Sequence, residues 1–186
     1  QDISLGDINL LAKTRFLKKR HLSVASINGL SLPSGRTSNP DILGDIPFGT
    51  GHLSFYSAVI VDEPLIAGLI LNQYIKYKHS LAAEHAVRLK TQENPLAAKT
   101  RMLKRQRGDE LEGGVSLQYE PSFGMTAGLG FSFEKKNKDR YHLKDQPEVL
   151  LALESSTDNQ RQFLEGKLGY SGIEAYKKGV IPIPFS

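Results

Sequence analysis

Residues 108–134, GDELEGGVSLQYEPSFGMTAGLGFSFE, change character at every second position. Leu111, Gly113, Val115, Leu117 and Tyr119 fall on one side, and Glu110, Glu112, Gly114, Ser116, Gln118 and Glu120 on the other. After Pro121-Ser122 the pattern resumes. Phe123, Met125, Ala127, Leu129, Phe131 and Phe133 oppose Gly124, Thr126, Gly128, Gly130, Ser132 and Glu134. Side chains alternate across a strand, so this reads as a hairpin with one apolar and one polar face. A water-filled transmembrane barrel requires such faces, with lipid outside and small or charged groups inside. A soluble sandwich can use them too.

Five more stretches read as strands. In 4–17, Gly6, Ile8, Leu10, Ala12 and Phe16 share one face and Asp7, Asn9, Lys13 and Arg15 the other, with Leu11 out of pattern. Residues 21–32 alternate more weakly. Residues 52–61 place Leu53, Phe55, Val59 and Val61 together, and 65–79 oppose Leu69, Leu71, Ile75 and Tyr77 to Gly68, Asn72, Lys76 and Lys78. Residues 160–170 oppose Leu164, Gly166, Leu168 and Tyr170 to Phe163, Glu165, Lys167 and Gly169. The predicted fold class is all-β, an antiparallel up-and-down transmembrane β-barrel or a large part of one, with about seven or more strands.

The connections alternate in length. Those at 18–20, 62–64 and 120–122 are short. Those at 33–51, 80–107 and 135–159 are long and polar. Outer-membrane barrels keep short turns at the periplasmic end and long loops outside, so the long connections are expected together at one end, facing out of the cell. Within them, 80–90 suits a short helix before Pro95, and 149–153 a short helix or a strand extension. Residues 86–92 and 148–154 are the first places to look for further strands.

Composition narrows the classes. Hydrophobic residues are 39%, low for a helical membrane protein but ordinary for a soluble protein or a barrel with a polar lumen. The longest apolar run, 65–71, is too short for a spanning helix. Cysteine is absent, which excludes disulfides and thiolate chemistry. The chain opens on Gln1-Asp2, so any targeting segment is expected upstream or removed. The net charge of +4 is dispersed, and the basic segment has no interleaved aromatics, so no nucleic-acid partner is expected.

Polar-face residues supply the candidate lumen lining: Asp7, Asn9, Lys13, Arg15, Asn72, Lys76, Glu110, Glu112, Gln118, Glu134, Glu165 and Lys167. Mixed charges there either tune selectivity or pair across strands to hold a polar interior. For any one residue, pairing is the commoner outcome. Arg88, Lys90, Lys99, Arg101, Lys104, Arg105 and Arg107 form a basic stretch. It would either meet lipopolysaccharide phosphates through charge-assisted bonds or stay solvated. His21, His52, His79, His85 and His142 show no metal-ligand spacing, and no nucleophile elbow, P-loop or dinucleotide fingerprint occurs. No enzyme activity, metal or cofactor is expected. Arg107-Gly108-Asp109 spells an adhesive tripeptide that chance explains. Phe16, Phe55, Tyr77, Tyr119, Phe131, Phe133 and Tyr170 lie near strand ends, as in an interfacial girdle or an ordinary β core.

Several motifs resemble one family. Gly6-Asp7, Lys13-Thr14-Arg15-Phe16, Leu32-Pro33-Ser34-Gly35 and Gly49-Thr50-Gly51 are similar to motifs of the outer-membrane barrel family linked to the meta-pathway of phenol degradation. The segment 169–184 resembles a periplasmic turn of such barrels. The resemblance implies a barrel in the bacterial outer membrane with a transport role, and brings no catalytic residues. Bacterial single-chain barrels have even strand numbers, so seven strands predict a single domain over 1–186 that lacks strands before Ser4, after Ser186, or both. Other chains supplying or covering strands are the alternative.

The leading functional expectation is a passive channel or transport protein for small, possibly hydrophobic solutes, in contact with outer-membrane lipid and lipopolysaccharide. A non-conducting structural barrel is the second reading. A soluble exported barrel holding a small apolar ligand is the third.

Overall fold

The computed structural model describes residues 5–42, 44–91, 94–121, 124–142, 153–155, 157–171, 177 and 179. Its strands are β1 (Ile8–Lys19), β2 (Leu22–Leu32), β3 (Ser54–Ile66), β4 (Leu69–Ser80), β5 (Ala83–Thr91), β6 (Asn94–Gln106), β7 (Glu110–Tyr119), β8 (Met125–Lys136), β9 (Arg140–His142) and β10 (Asn159–Tyr170). A seven-stranded sheet runs β1-β2-β3-β4-β7-β8-β10, and a three-stranded sheet runs β5-β6-β9. Every pairing is antiparallel. The order is up-and-down, and neither sheet closes into a barrel. No helix among the described residues is long and apolar enough to cross a membrane.

The strands of the large sheet are those the alternation predicts, with shifted ends. Residues 62–64 are not a turn. Asp62, Glu63 and Pro64 continue β3, and the chain reverses at Ala67-Gly68. Pro64 stays in register with Ile70, beside a slip that leaves Leu65 unpaired, and it lies beyond the end of the β2–β3 ladder at Asp62, where β3 is an edge that tolerates a residue without a donor. A second irregularity falls between Arg15 and Leu17 and leaves Phe16 unpaired. Residues 80–107 are not a polar loop, and 80–90 are not a helix. Most of the segment is the β5–β6 hairpin, with His85 opposite Leu103 and Ala83 opposite Arg105. Residues 86–91, named only as a place to look for further strands, lie in β5. Residues 148–152 lie outside the described residues, and Leu153 and Glu154 are helical rather than part of a strand.

Registers place the long connections together. Leu32, Ser54, Ser80, Glu110, Lys136 and Asn159 end or begin strands at the same edge of the ladder, next to Ile8. The connections 33–53, 81–109 and 137–158 all leave from that end. The short reversals at 20–21, 67–68 and 120–124 lie at the other.

The large sheet has little apolar core. Among the described residues only Ala25, Ala58 and Leu103 are buried hydrophobics, and Leu103 belongs to the small sheet. Among the described residues, the close backbone contacts between strands are between ladder neighbours.

Candidate lumen-lining face and its loop ties

Register fixes which residues share a face. One row crosses the sheet as Lys13, Ile27, Ala58, Lys76, Glu112, Glu134 and Arg161. Neighbouring rows carry Asp62, Asn72, Ser116, Gly130 and Glu165, and Lys78, Glu110, Lys136 and Asn159. Asn9, Arg15, Gln118 and Lys167 lie on the same side. All candidate lining residues except Asp7 are thus brought to one face. Arg161, Lys136, Lys78 and Asp62 join them; the parity of their own strands would have found them.

The opposite face is apolar and open. Leu117 is 41% exposed, Leu129 60% and Leu168 83%, with Val59, Ile75, Val115, Phe131 and Leu164 beside them. On the same strands the polar-side Ser116, Gln118, Gly128, Gly130 and Ser132 are half-buried.

Charges on the polar face pair in part. Lys76 Nζ donates to Glu112 Oε2 at 2.8 Å, and Tyr74 Oη donates to Glu112 Oε1 at 3.1 Å. Lys78 lies 3.8 Å from Glu110, whose other oxygen meets Arg107 Nη2 at 2.7 Å. Partly solvated pairs of this kind contribute about 0.2–1 kcal/mol each. Glu134 and Arg161 face each other in register yet form no ion pair among the described residues. With Arg107, Glu110, Glu112 and Lys136 they line a cavity of about 280 Å³.

Asp7 is not in a strand. It precedes β1 and ties loops at the long-connection end. Its Oδ1 accepts from the Gly35 N–H at 3.1 Å, and its Oδ2 from the Thr50 N–H and hydroxyl at 2.7 and 2.8 Å. Burial pushes its pKa up, but these hydrogen bonds outweigh burial and the net shift is downward. Gly35 and Gly49 pack backbone to backbone beside it. A Cβ on Gly35 would lie 2.6 Å from the Gly49 Cα, so neither position has room for a side chain. Gly6-Asp7, Leu32-Pro33-Ser34-Gly35 and Gly49-Thr50-Gly51 meet at this one knot.

A second tie holds β6, β8 and β9. Asp139 is fully buried. It accepts from Arg105 Nε at 3.0 Å and the Gly108 N–H at 2.8 Å, and pairs with Lys136 at 2.7 Å. Burial raises its pKa, yet the Gly108, Lys136 and Arg105 bonds carry the net shift below the ordinary carboxylate value. Gly108 is required there, because a Cβ would lie 1.9 Å from the Asn137 carbonyl oxygen.

Three of the seven residues of the basic stretch are tied to acids of the chain. Arg88 binds Asp41, Arg105 binds Asp139 and Arg107 binds Glu110. Arg101 and Lys104 are exposed, while the side chains of Lys90 and Lys99 lie outside the described residues. A free polybasic loop is replaced by a hairpin whose arginines mostly hold the protein's own acids. Among the described residues, no group of three or more histidines and carboxylates is placed to hold a metal ion.

No protein-family model matches the chain, and no curated protein is similar enough to count as a match.

Proposed function

We propose that this chain forms part of the wall of a bacterial outer-membrane β-barrel, with its polar face lining a passage for small solutes. The observation that carries the reading is the inverted distribution of side chains. Large apolar groups stand exposed on one face, small and some charged groups of β4, β7 and β8 are half-buried on the other while Lys13, Arg15, Glu134 and Arg161 are exposed there, and the sheet has almost no apolar core among the described residues. In water an exposed apolar surface of this extent is costly; against lipid it is the stable arrangement. The grouping of long connections at one end supports the same reading. So does the resemblance carried by motifs that meet at Asp7.

A soluble barrel with an apolar ligand would instead turn the apolar face inward and leave Lys76, Glu112, Glu134 and Arg161 in water; extraction without detergent would favour that reading. The outer edges of β1 and β10 carry no partner among the described strands. Six antiparallel pairings separate those strands, so they run in the same direction. Antiparallel closure of the proposed barrel takes an odd number of further strands, whatever their source.

The mechanism is passive diffusion, with selectivity set by width and by the partly paired charges. No catalytic step is assigned. Single-channel recording on the protein reconstituted into planar bilayers tests it. Discrete conductance steps are expected. A protein that inserts stably but never conducts leaves the non-conducting structural barrel as the better reading.

A further inference from the structure

His52 and His85 meet where the 33–53 connection passes the β5–β6 hairpin. Their ring centroids are 4.4 Å apart and the planes are tilted by 33°. His52 is 1% exposed. Its Nδ1 lies 2.9 Å from the Leu81 carbonyl oxygen. A carbonyl only accepts, so Nδ1 carries the proton and the neutral ring presents a bare Nε2 lone pair. Both Nε2 atoms, of His52 and of His85, are buried and have no hydrogen-bond partner among the described residues. The pair is therefore well accommodated only when uncharged.

The surroundings favour that state. Arg105 acts on both rings and Arg107 on His52, each opposing a positive charge. Asp139 is the acid that favours protonation of His52, but its oxygens are already engaged by Gly108, Lys136 and Arg105. The same arginines make a cation site unattractive, since a divalent metal would add positive charge where no free carboxylate stands.

We infer that His52 and His85 form a proton-operated latch, holding the β5–β6 hairpin against the 33–53 connection at neutral pH and loosening it in mild acid. Burial comes first for both groups; at His52 the Leu81 bond opposes it and Arg105 and Arg107 add to it, at His85 His52 and then Arg105 add to it, and both end below the ordinary value of 6.5. A depressed histidine stabilises the closed arrangement above 6.5. That stabilisation is lost as pH falls from there toward the lowered value. A second tether between the same segments, Asp41 to Arg88 and Thr100, does not respond in this window, because the Asp41 carboxyl is held below its ordinary 3.8 by those two bonds. Acid should loosen the contact rather than sever it. The latch does not depend on the membrane reading, since it concerns only how two segments at one end of the sheet hold together.

The absence of cysteine allows two labels to be placed without background. Spin labels at Ser38→Cys and Glu84→Cys, both exposed positions, report the separation of the two segments in the folded protein. A narrow distance distribution is expected at about pH 7.5. Reversible broadening toward longer distances is expected at about pH 5, within the range where histidine titrates. The response should persist in His79→Gln and vanish in the His52→Gln/His85→Phe double variant. A distribution that does not change with pH in the otherwise unaltered protein overturns the latch, whether or not the double variant folds. So does a response abolished by His79→Gln, or one produced at neutral pH by Zn²⁺ in place of protons.

Discussion

Thr50 reaches Asp7 twice, through its amide at 2.7 Å and its hydroxyl at 2.8 Å, across 43 positions of sequence. Gly35 supplies a third bond to the same carboxylate. One side chain thereby fixes the start of β1 to both ends of the 33–51 segment. Hydrogen bonds to an ionised group contribute about 1.5–3 kcal/mol each, and they share a partner here, so the sum is less than three times that. Asp7→Ala is expected to destabilise by about 2–4 kcal/mol, read from urea unfolding of the folded protein. Thr50→Val, which keeps the amide bond and loses the hydroxyl, should cost about 1 kcal/mol.

The pH dependence of this knot follows from its sign. The folded-state pKa of Asp7 lies below the ordinary 3.8, so its contribution is complete above that value and is lost as pH falls through the lower one. Asp139 behaves likewise, with its carboxyl also held below 3.8. Stability should therefore decline in acid below about pH 4, and the decline should be shallower in Asp7→Asn. The slope of unfolding free energy against pH measures this.

Asp139→Asn leaves Arg105 and Lys136 without their shared buried anion. Breaking such a cluster costs about 3–5 kcal/mol. Hydrogen exchange should show the loss concentrated at β9 and the end of β6, whose ladder pairs Arg105 with Tyr141. Gly108→Ala strikes the same place sterically. With the Asn137 oxygen 1.9 Å from the added carbon, the backbone must move, and a loss of at least about 2 kcal/mol is expected.

Glu134, Arg161 and Lys13 are the charges of the central row that form no ion pair among the described residues, and they are the ones a solute would meet if the polar face lines a passage. Arg161→Glu should shift the ratio of cation to anion permeability toward cations, and Glu134→Gln toward anions, in reversal-potential measurements. Glu112→Gln should change permeability less than stability, because Glu112 already holds Lys76 and Tyr74.

The large sheet was legible because alternation is a local signal. Val115, Ser116, Leu117 and Gln118 announce their faces to one another without any long-range contact. The segregation of loop lengths was legible for the same reason. The β5–β6 hairpin was not. AEHAVRLK contains mostly good helix formers, and its strand state comes from pairing with 94–106, which local propensity does not see. Pro64 misled for a related reason, since the edge that tolerates it exists only because the β2–β3 ladder ends at Asp62. Asp7 has the parity of a lining residue. Its actual partners, 28 and 43 positions away, come together only when the loops fold. The His52–His85 contact likewise joins segments that no spacing rule links.

The apolar face of the hairpin is the centre of the account. Leu117 and Leu129 are cross-strand partners on it, and Ser116 and Gly130 are partners on the reverse. Leu117→Arg and Ser116→Arg add the same charge at adjacent positions. Folding into lipid vesicles, followed by urea titration, compares them directly. If the apolar face meets lipid, Leu117→Arg costs about 2–4 kcal/mol near the bilayer midplane and Ser116→Arg far less. Equal tolerance of both, or a greater loss for Ser116→Arg, would contradict the membrane assignment.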